Sequence, residues 1–312
     1  MIYDVIIIGA GPAGLSAAIY AGRSRLNTVV IEMASVGGQI GGTAEVENYP
    51  GGLEGGETGW SLAERIAKQA DFFGAERKKG EVTAAELGGD VKTVTLLDGS
   101  ILSGKTVIIA TGATPRPIGC ENETEYVGRG ISFCATCDAN FFRNKEVYVA
   151  GGGDSAIEES IFLTKFARKV TIIHRREELR AAKLLQEKAF ANEKIHFIWN
   201  TVIESVGGDG ILSEINIRNV KTGEETTLNA DKDDGMFGLF AFLGHLPNTA
   251  VFANILPLED GYIRTDEEMR TSIPGVLAAG DVRVKLLRQV VTATSDGAIA
   301  ATQAEHYLRG LH

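Results

Sequence analysis

Apolar residues come along this chain in short β-branched bursts, each followed by glycine and then by a stretch of helical spacing. Tyr3-Asp4-Val5-Ile6-Ile7-Ile8 is the first burst. A run apolar on both faces predicts a buried parallel strand. Gly9-Ala10-Gly11-Pro12-Ala13-Gly14 follows, and residues 15–23 predict a helix. Thr28-Val29-Val30-Ile31 is the next burst and ends at Glu32, 23 positions after Gly9. Strand, glycine turn, helix, strand and acid, in that order, form a dinucleotide-binding βαβ unit.

The pattern recurs. Glu146-Val147-Tyr148-Val149-Ala150 leads into Gly151-Gly152-Gly153-Asp154-Ser155-Ala156, then a helical stretch, then Lys169-Val170-Thr171-Ile172-Ile173. Gly9, Gly11, Gly14 and Glu32 map onto Gly151, Gly153, Ala156 and His174 at one offset of 142. One such glycine motif is weak evidence; two, each between strand and helix, are strong. The position after the second strand separates the copies. Glu32 suits a ribose 2′-hydroxyl, whereas His174-Arg175-Arg176, with Arg180 one helical turn on, suits a 2′-phosphate. The first site is expected to take an adenine dinucleotide without that phosphate, and the second NADP(H). A solvated helix face is the plain alternative for the arginines.

Lys105-Thr106-Val107-Ile108-Ile109-Ala110-Thr111-Gly112 and Gly275-Val276-Leu277-Ala278-Ala279-Gly280-Asp281 predict two further strands, and the whole second βαβ unit lies between them. The expected fold is therefore α/β, with two Rossmann-like dinucleotide-binding domains, the second inserted into the first. The first domain takes residues 1–114 and 246–312, the second 115–245. Ala113-Thr114-Pro115-Arg116-Pro117 and Gly244-His245-Leu246-Pro247-Asn248 read as the joining linkers, a pair suited to a hinge.

Composition narrows the function classes. Hydrophobic residues at 44% are enough for packed cores, and a net charge of −10 argues against nucleic acid or an anionic membrane as partner. Residues 5–22 carry no charge, but Pro12 and the glycines interrupt them and no basic segment precedes them, so neither a membrane span nor a signal peptide is expected. Three cysteines make no disulfide framework, which favours a reducing, cytoplasmic setting.

Two of those cysteines form Cys134-Ala135-Thr136-Cys137, just before the second βαβ unit. Zinc, a buried structural thiol pair and a redox dithiol are the three readings. There is no second CxxC and no HxxxH pair to complete a zinc site, so no metal is expected. A CxxC closes a small disulfide and lowers a thiolate pKa. Asp138 follows directly and suits either acid–base work or a helix N-cap. Cys120 reads as a structural thiol.

With these residues in view, the sequence resembles the low-molecular-weight bacterial thioredoxin reductases over essentially its whole length. The matching segments are GAGPAGLSAAIYAGR, GGQI at 37–40, EVENYPG at 45–51, IIATGA, CATCD, GGGDSAIEES, HRREELR, GHLPNT, and AAGD followed by Arg288-Gln289. The resemblance implies FAD in the first domain, at Gly9, Gly11, Pro12, Ala13, Gly14 and Glu32. Gly38, Gln39, Ile40, Asn48, Thr111, Gly112, Gly280, Asp281, Arg288, Gln289 and Val290 would line the rest. It implies NADPH in the second domain, at Gly151, Gly153, Asp154, Ser155, Ala156, His174, Arg175, Arg176 and Arg180. Hydride would pass from NADPH to the flavin, then electrons to the Cys134–Cys137 disulfide, with Cys137 on the flavin side and Asp138 as proton donor. Exchange with thioredoxin or a thioredoxin-like protein, by a homodimer, completes the implied function. Ala139-Asn140-Phe141-Phe142 departs from the Gly-Phe-Phe of many relatives in a stretch that helps dock thioredoxin, and Gly41-Gly42 stand where threonines are frequent.

A dithiol oxidase, a ferredoxin-dependent reductase and a non-enzymatic NADP(H)-binding scaffold are the competing functions. The intact second glycine turn and its arginines oppose the first two, and the retained CxxC opposes the third. Replacing Arg175 and Arg176 by Ala is expected to weaken NADPH far more than NADH in a titration of each nucleotide. An equal loss for both would show that those arginines do not read the 2′-phosphate.

Overall fold

The protein is described from a computed structural model over residues 1–33, 35–43, 46–54 and 56–310. Glu45, which opens the EVENYPG match, lies outside the described residues. The chain divides into two compact units, Met1–Thr114 with Leu246–His312, and Pro115–His245.

In the first unit one sheet runs Glu76–Lys79, Thr28–Glu32, Ile2–Ile8, Ile101–Ile109, Lys92–Leu96, Val82–Glu86, with Val276–Ala278 also paired to Ile101–Ile109. The strands around Ile2–Ile8 are parallel, and their side chains are buried on both faces, as the unbroken apolar runs require. Ile101–Ile109 starts earlier than the sequence suggests because one edge serves two partners. Ile101 and Gly104 pair antiparallel with Thr95 and Lys92, and Val107 and Ile109 pair parallel with Val276 and Ala278. The glycine turn sits where Ile2–Ile8 ends, and the helix Pro12–Arg23 starts directly after it.

Helix Pro12–Arg23 packs against the long helix Val290–Arg309. Ala13, Ala17, Ala18 and Ala21 share a buried core with Ala293, Ala300, Ala301 and Ala304. Small residues let the two backbones approach closely. At Gly297 a Cβ atom would lie 2.0 Å from the Ala13 carbonyl oxygen and 3.0 Å from the Ala17 nitrogen.

The second unit repeats the plan with a parallel sheet, Ile195–Ile198, Lys169–Ile173, Glu146–Gly151, Gly238–Phe242, Ile131–Ser132. Helix Asp154–Leu163 follows its glycine turn. An antiparallel sheet of Thr201–Gly207, Glu214–Asn219 and Glu225–Asn229 covers the face opposite to the helices' core. The architecture is thus α/β twice over, as expected.

The expected joining segments contain the short strands Ala113–Pro115 and His245–Pro247. One local expectation is corrected. Arg180 is not one helical turn beyond Arg176: residues 175–182 form a loop, and the next helix is Lys183–Phe190. The reason is local. The Arg180 amide donates to the Gly152 carbonyl at 2.7 Å and the Ala182 amide to Asp154 Oδ1 at 2.7 Å, which draws the loop back to the glycine turn.

The crossing at Gly297 makes a prediction. Gly297→Ala should cost about 1–3 kcal/mol by overpacking against backbone that has no freedom to yield. A calorimetric melt should show it as a lower melting temperature. Gly88→Ala, where a Cβ meets nothing within 4 Å, should leave the melt in place.

Candidate redox site and dinucleotide cradles

Cys134 and Cys137 form a disulfide, with their Cα atoms 5.3 Å apart, at either end of a single turn of helix, Ala135–Asp138. Among the described residues no group of three or more His, Cys, Asp and Glu is placed to hold a metal. Cys134 Sγ lies 3.4 Å from the Thr136 hydroxyl. Asp138 precedes a 3-10 turn, Ala139–Phe142, but its side chain makes no capping hydrogen bond there, so the N-cap reading falls. The carboxylate turns inward instead. Oδ2 accepts from the Ser132 hydroxyl at 2.5 Å, and Oδ1 is buried with no hydrogen-bond partner. Burial pushes the Asp138 carboxyl above the ordinary aspartate value, and the Ser132 hydrogen bond opposes that rise. A carboxyl raised in this way, next in sequence to Cys137, is better equipped than an ordinary aspartate to give a proton to a nascent thiolate. Cys120 is half-buried in the same unit, and burial, with the Glu123 charge, pushes its thiol up to about 11. It is therefore an inert thiol.

The first glycine turn forms an open cradle. Gly9 has φ +108°, and a Cβ there would lie 2.4 Å from the Ala110 carbonyl oxygen. Helix Pro12–Arg23 has no side-chain cap and no acid in its first turn, so its leading amides are free for an anion. Glu32 ends the adjacent strand half-buried, and burial raises its pKa against Arg77 and Lys79. Gly38, Gln39 and Ile40 form a 3-10 turn, and the Gln39 amide donates to the Ala113 carbonyl next to Thr111 and Gly112. Asn48 Nδ2 donates to Gln289 Oε1 at 3.0 Å, which joins two distant stretches of the expected set. Gly280 and Asp281 lie in a further 3-10 turn, and Val290 opens the long helix.

Among the described residues of this unit, two buried side-chain polar atoms have no hydrogen-bond partner: Asp281 Oδ1 and Arg288 Nε. The Arg288 guanidinium lies 4.3 Å over the Tyr262 ring. Burial raises Asp281, Lys285 and Arg288 pull it down, and Asp296 pushes it up. Unpaired buried groups beside an uncapped helix start fit a polar, anionic cofactor that completes them.

Asp296, Arg283 and Lys285 were not singled out in the sequence. Asp296 Oδ2 accepts from the Gly280 amide at 3.0 Å, Arg283 Nη1 at 3.2 Å and Lys285 Nζ at 2.7 Å. All three side chains are largely buried, so this carboxylate anchors the loop that carries Asp281. Its signal was available: Asp296 falls on the alanine face of the last helix, where an unpaired charge is not tolerated.

The second turn is built differently. A Cβ on Gly151 would lie 2.6 Å from Ala156 Cβ, and one on Gly152 2.4 Å from the His174 ring. His174 is buried against that bare backbone with Nε2 unpartnered, and its ring stands edge-on to Trp199. Burial lowers its pKa, with the Arg180 and Arg176 charges acting in the same sense, so the imidazole is neutral at neutral pH. Space is open over Gly153, and Ser155 is exposed on the first turn of the helix. Asp154, expected at the cofactor, spends Oδ1 on the Ala182 amide and so fixes the loop. Arg175, Arg176 and Arg180 are exposed on that loop. Three exposed arginines on a loop that returns to the glycine turn, beside an uncapped helix, fit a phosphate-bearing dinucleotide.

The fold and these groups define a flavin- and nicotinamide-linked disulfide oxidoreductase. The chain belongs to the pyridine nucleotide-disulphide oxidoreductase family, whose profile matches residues 3–297. Its relatives in that family are thioredoxin reductases. It is 53% identical to the thioredoxin reductase of Peptoclostridium acidaminophilum over 308 residues, 98% of this chain and 97% of the relative. It is 47% identical to that of Listeria monocytogenes over 312 residues, 99% and 95%. Among solved structures it is similar to the thioredoxin reductase of Streptococcus pyogenes, with a TM-score of 0.91 and 46% identity over 99% of both chains.

The raised Asp138 carboxyl has a stability consequence. A carboxyl whose folded-state pKa is raised stabilises the fold fully below its ordinary value, and that contribution is lost as pH climbs through the raised value. Asp138→Asn removes the titration. The melting temperature of the variant relative to the parent should therefore rise as pH climbs above the ordinary aspartate value. A difference that stays flat with pH would show an unperturbed carboxyl.

Proposed function

We infer that the protein is an NADPH-dependent FAD enzyme that reduces the disulfide of thioredoxin or a thioredoxin-like carrier. The observation that carries this reading is the Cys134–Cys137 disulfide followed directly by Asp138, whose carboxyl is pushed by burial above the ordinary aspartate value. It lies in the unit whose glycine turn is flanked by Arg175, Arg176 and Arg180. Bound FAD supplies the two-electron link between a nicotinamide hydride and a disulfide.

The first unit binds FAD in this reading. The free amides of helix Pro12–Arg23 take the pyrophosphate, and the Glu32 carboxylate takes a ribose hydroxyl. Asp281 and Arg288 offer their unpartnered buried atoms to the remainder. Gln39 and Asn48 hold the loops that border it. In the second unit the Gly151-Gly152-Gly153-Asp154-Ser155-Ala156 turn takes the NADPH pyrophosphate. His174 shapes the adenosine end as a neutral ring, and the three arginines pair with the 2′-phosphate.

Two electrons delivered to Cys134–Cys137 break the sulfur–sulfur bond and leave two sulfur anions. Asp138 gives its proton to one, and the other stays a thiolate. That thiolate attacks the carrier disulfide, and the second cysteine then displaces the reduced carrier and re-forms the internal bond. Cys137 is the sulfur on the flavin side, and the enzyme works as a homodimer.

Anaerobic stopped-flow absorbance of the yellow protein tests the reading. NADPH should bleach the flavin band rapidly, with NADH slower by at least tenfold, and added thioredoxin should be reduced catalytically. Absence of bleaching by either nucleotide would overturn it and turn attention to a ferredoxin donor.

A further inference from the structure

Ser132 was not singled out by the sequence, and the reductase reading does not use it. It ends the strand Ile131–Ser132 and is 5% exposed. Its hydroxyl oxygen lies 2.5 Å from Asp138 Oδ2, 3.1 Å from the Cys134 amide nitrogen and 3.3 Å from the Cys134 carbonyl oxygen. A serine hydroxyl has one proton and two lone pairs. The Cys134 amide takes one lone pair. One proton therefore faces two acceptors, the Asp138 carboxylate and the Cys134 carbonyl, and it can serve one at a time.

We propose that Ser132 is a positioning residue whose hydroxyl switches between Asp138 and the Cys134 carbonyl as Asp138 loses and regains its proton. The proposal rests on the reductase reading and specifies how its proton donor is held. While the disulfide is intact and Asp138 is protonated on Oδ2, the acid donates to the Ser132 oxygen, and the serine proton points to the Cys134 carbonyl. When the sulfur–sulfur bond accepts two electrons and breaks, the Asp138 proton passes to one sulfur. The new carboxylate then receives the serine proton as a short, charge-assisted hydrogen bond. The Cys134 amide keeps the hydroxyl oxygen in place throughout, so the acid stays tied to the backbone of one of the cysteines it serves. Oδ1, with no partner of its own, leaves Ser132 as the hydrogen-bonding side chain to that carboxyl among the described residues.

Charged neighbours do not substitute for this contact. Helix Asp154–Leu163 packs against the Ala135–Asp138 turn and carries Asp154, Glu158 and Glu159, and the following 3-10 turn leads to Arg143. None of them contributes to the Asp138 shift, whose causes are burial and Ser132. Asp154 is engaged with the Ala182 amide and Arg143 with Asn140. The adjoining strand Gly238–Phe242 carries no titratable side chain.

The test compares the pH dependence of NADPH-driven disulfide turnover in the parent, Ser132→Ala and Ser132→Thr holoproteins. Loss of the hydroxyl removes the bond that favours the Asp138 anion, so the alkaline limb should move up by about half a pH unit or more. Turnover on the plateau should fall about three- to tenfold, and Ser132→Thr should restore the parent limb. In an Asp138→Asn background Ser132→Ala should have no further effect on the limb, because the titrating partner is gone. If the Ala variant does not fold, Ser132→Val set against Ser132→Thr isolates the hydroxyl at constant shape. Superimposed limbs, or a shift that persists in the Asp138→Asn background, would overturn the proposal. A parent protein that NADPH does not bleach overturns the reductase reading, and this proposal falls with it.

Discussion

Room for a hydrogen atom and nothing larger, at a few points around Ala13, is the constraint on which the first unit depends. A Cβ on Gly14 would lie 1.8 Å from the Gly9 carbonyl oxygen, and one on Gly280 2.8 Å from the Ala13 methyl. With the Gly297 crossing, these contacts draw together the end of the first strand, the start of the first helix, the last helix and the loop before Asp281. Any methyl group there would push the helix start off the sheet. The leading amides and the unpaired Asp281 and Arg288 atoms would then lose their common frame.

The second unit meets the same need with different atoms. Ala156 stands where the first unit has Gly14, and its methyl is accommodated because Gly151 has none. The space saved at Gly152 is given to the His174 ring. One unit therefore presents a carboxylate after its second strand, and the other a buried neutral ring with arginines beyond it. The same strand–turn–helix frame carries two charge patterns because the frame is fixed by backbone contacts and the charges sit outside it.

Much of this was legible in the sequence, and the parts that were share a cause. The strands Ile2–Ile8, Thr28–Glu32, Glu146–Gly151 and Lys169–Ile173 are apolar on both faces and are followed by glycines at fixed offsets, so period and punctuation agree. Val82–Glu86 and Thr201–Gly207 were not foreseen. Their half-exposed strands mix polar and small residues and take their place from hairpin partners instead of an apolar run. The loop at Arg175–Arg180 was read as helical because residue spacing says nothing of Asp154 reaching across 28 positions to an amide. Cys134, Cys137 and Asp138 announced themselves by type and spacing. Ser132 did not, since its role lies in a hydroxyl direction that a strand's end happens to supply.

The pairing of Val276–Ala278 with Ile101–Ile109 reaches over the whole of the second unit. It therefore bears on the order in which the chain can acquire structure during synthesis. Pro115–His245 has every strand of its sheets available once residue 245 has been made. The first unit must wait for residues 276–278 to complete its sheet, and for the helix that begins at Val290 to cover Pro12–Arg23. Until then its alanine-lined helix face has no partner. The unit that begins later in the chain is the one whose synthesis is completed first and that can finish alone, so the first unit, although it starts the chain, is the last to close.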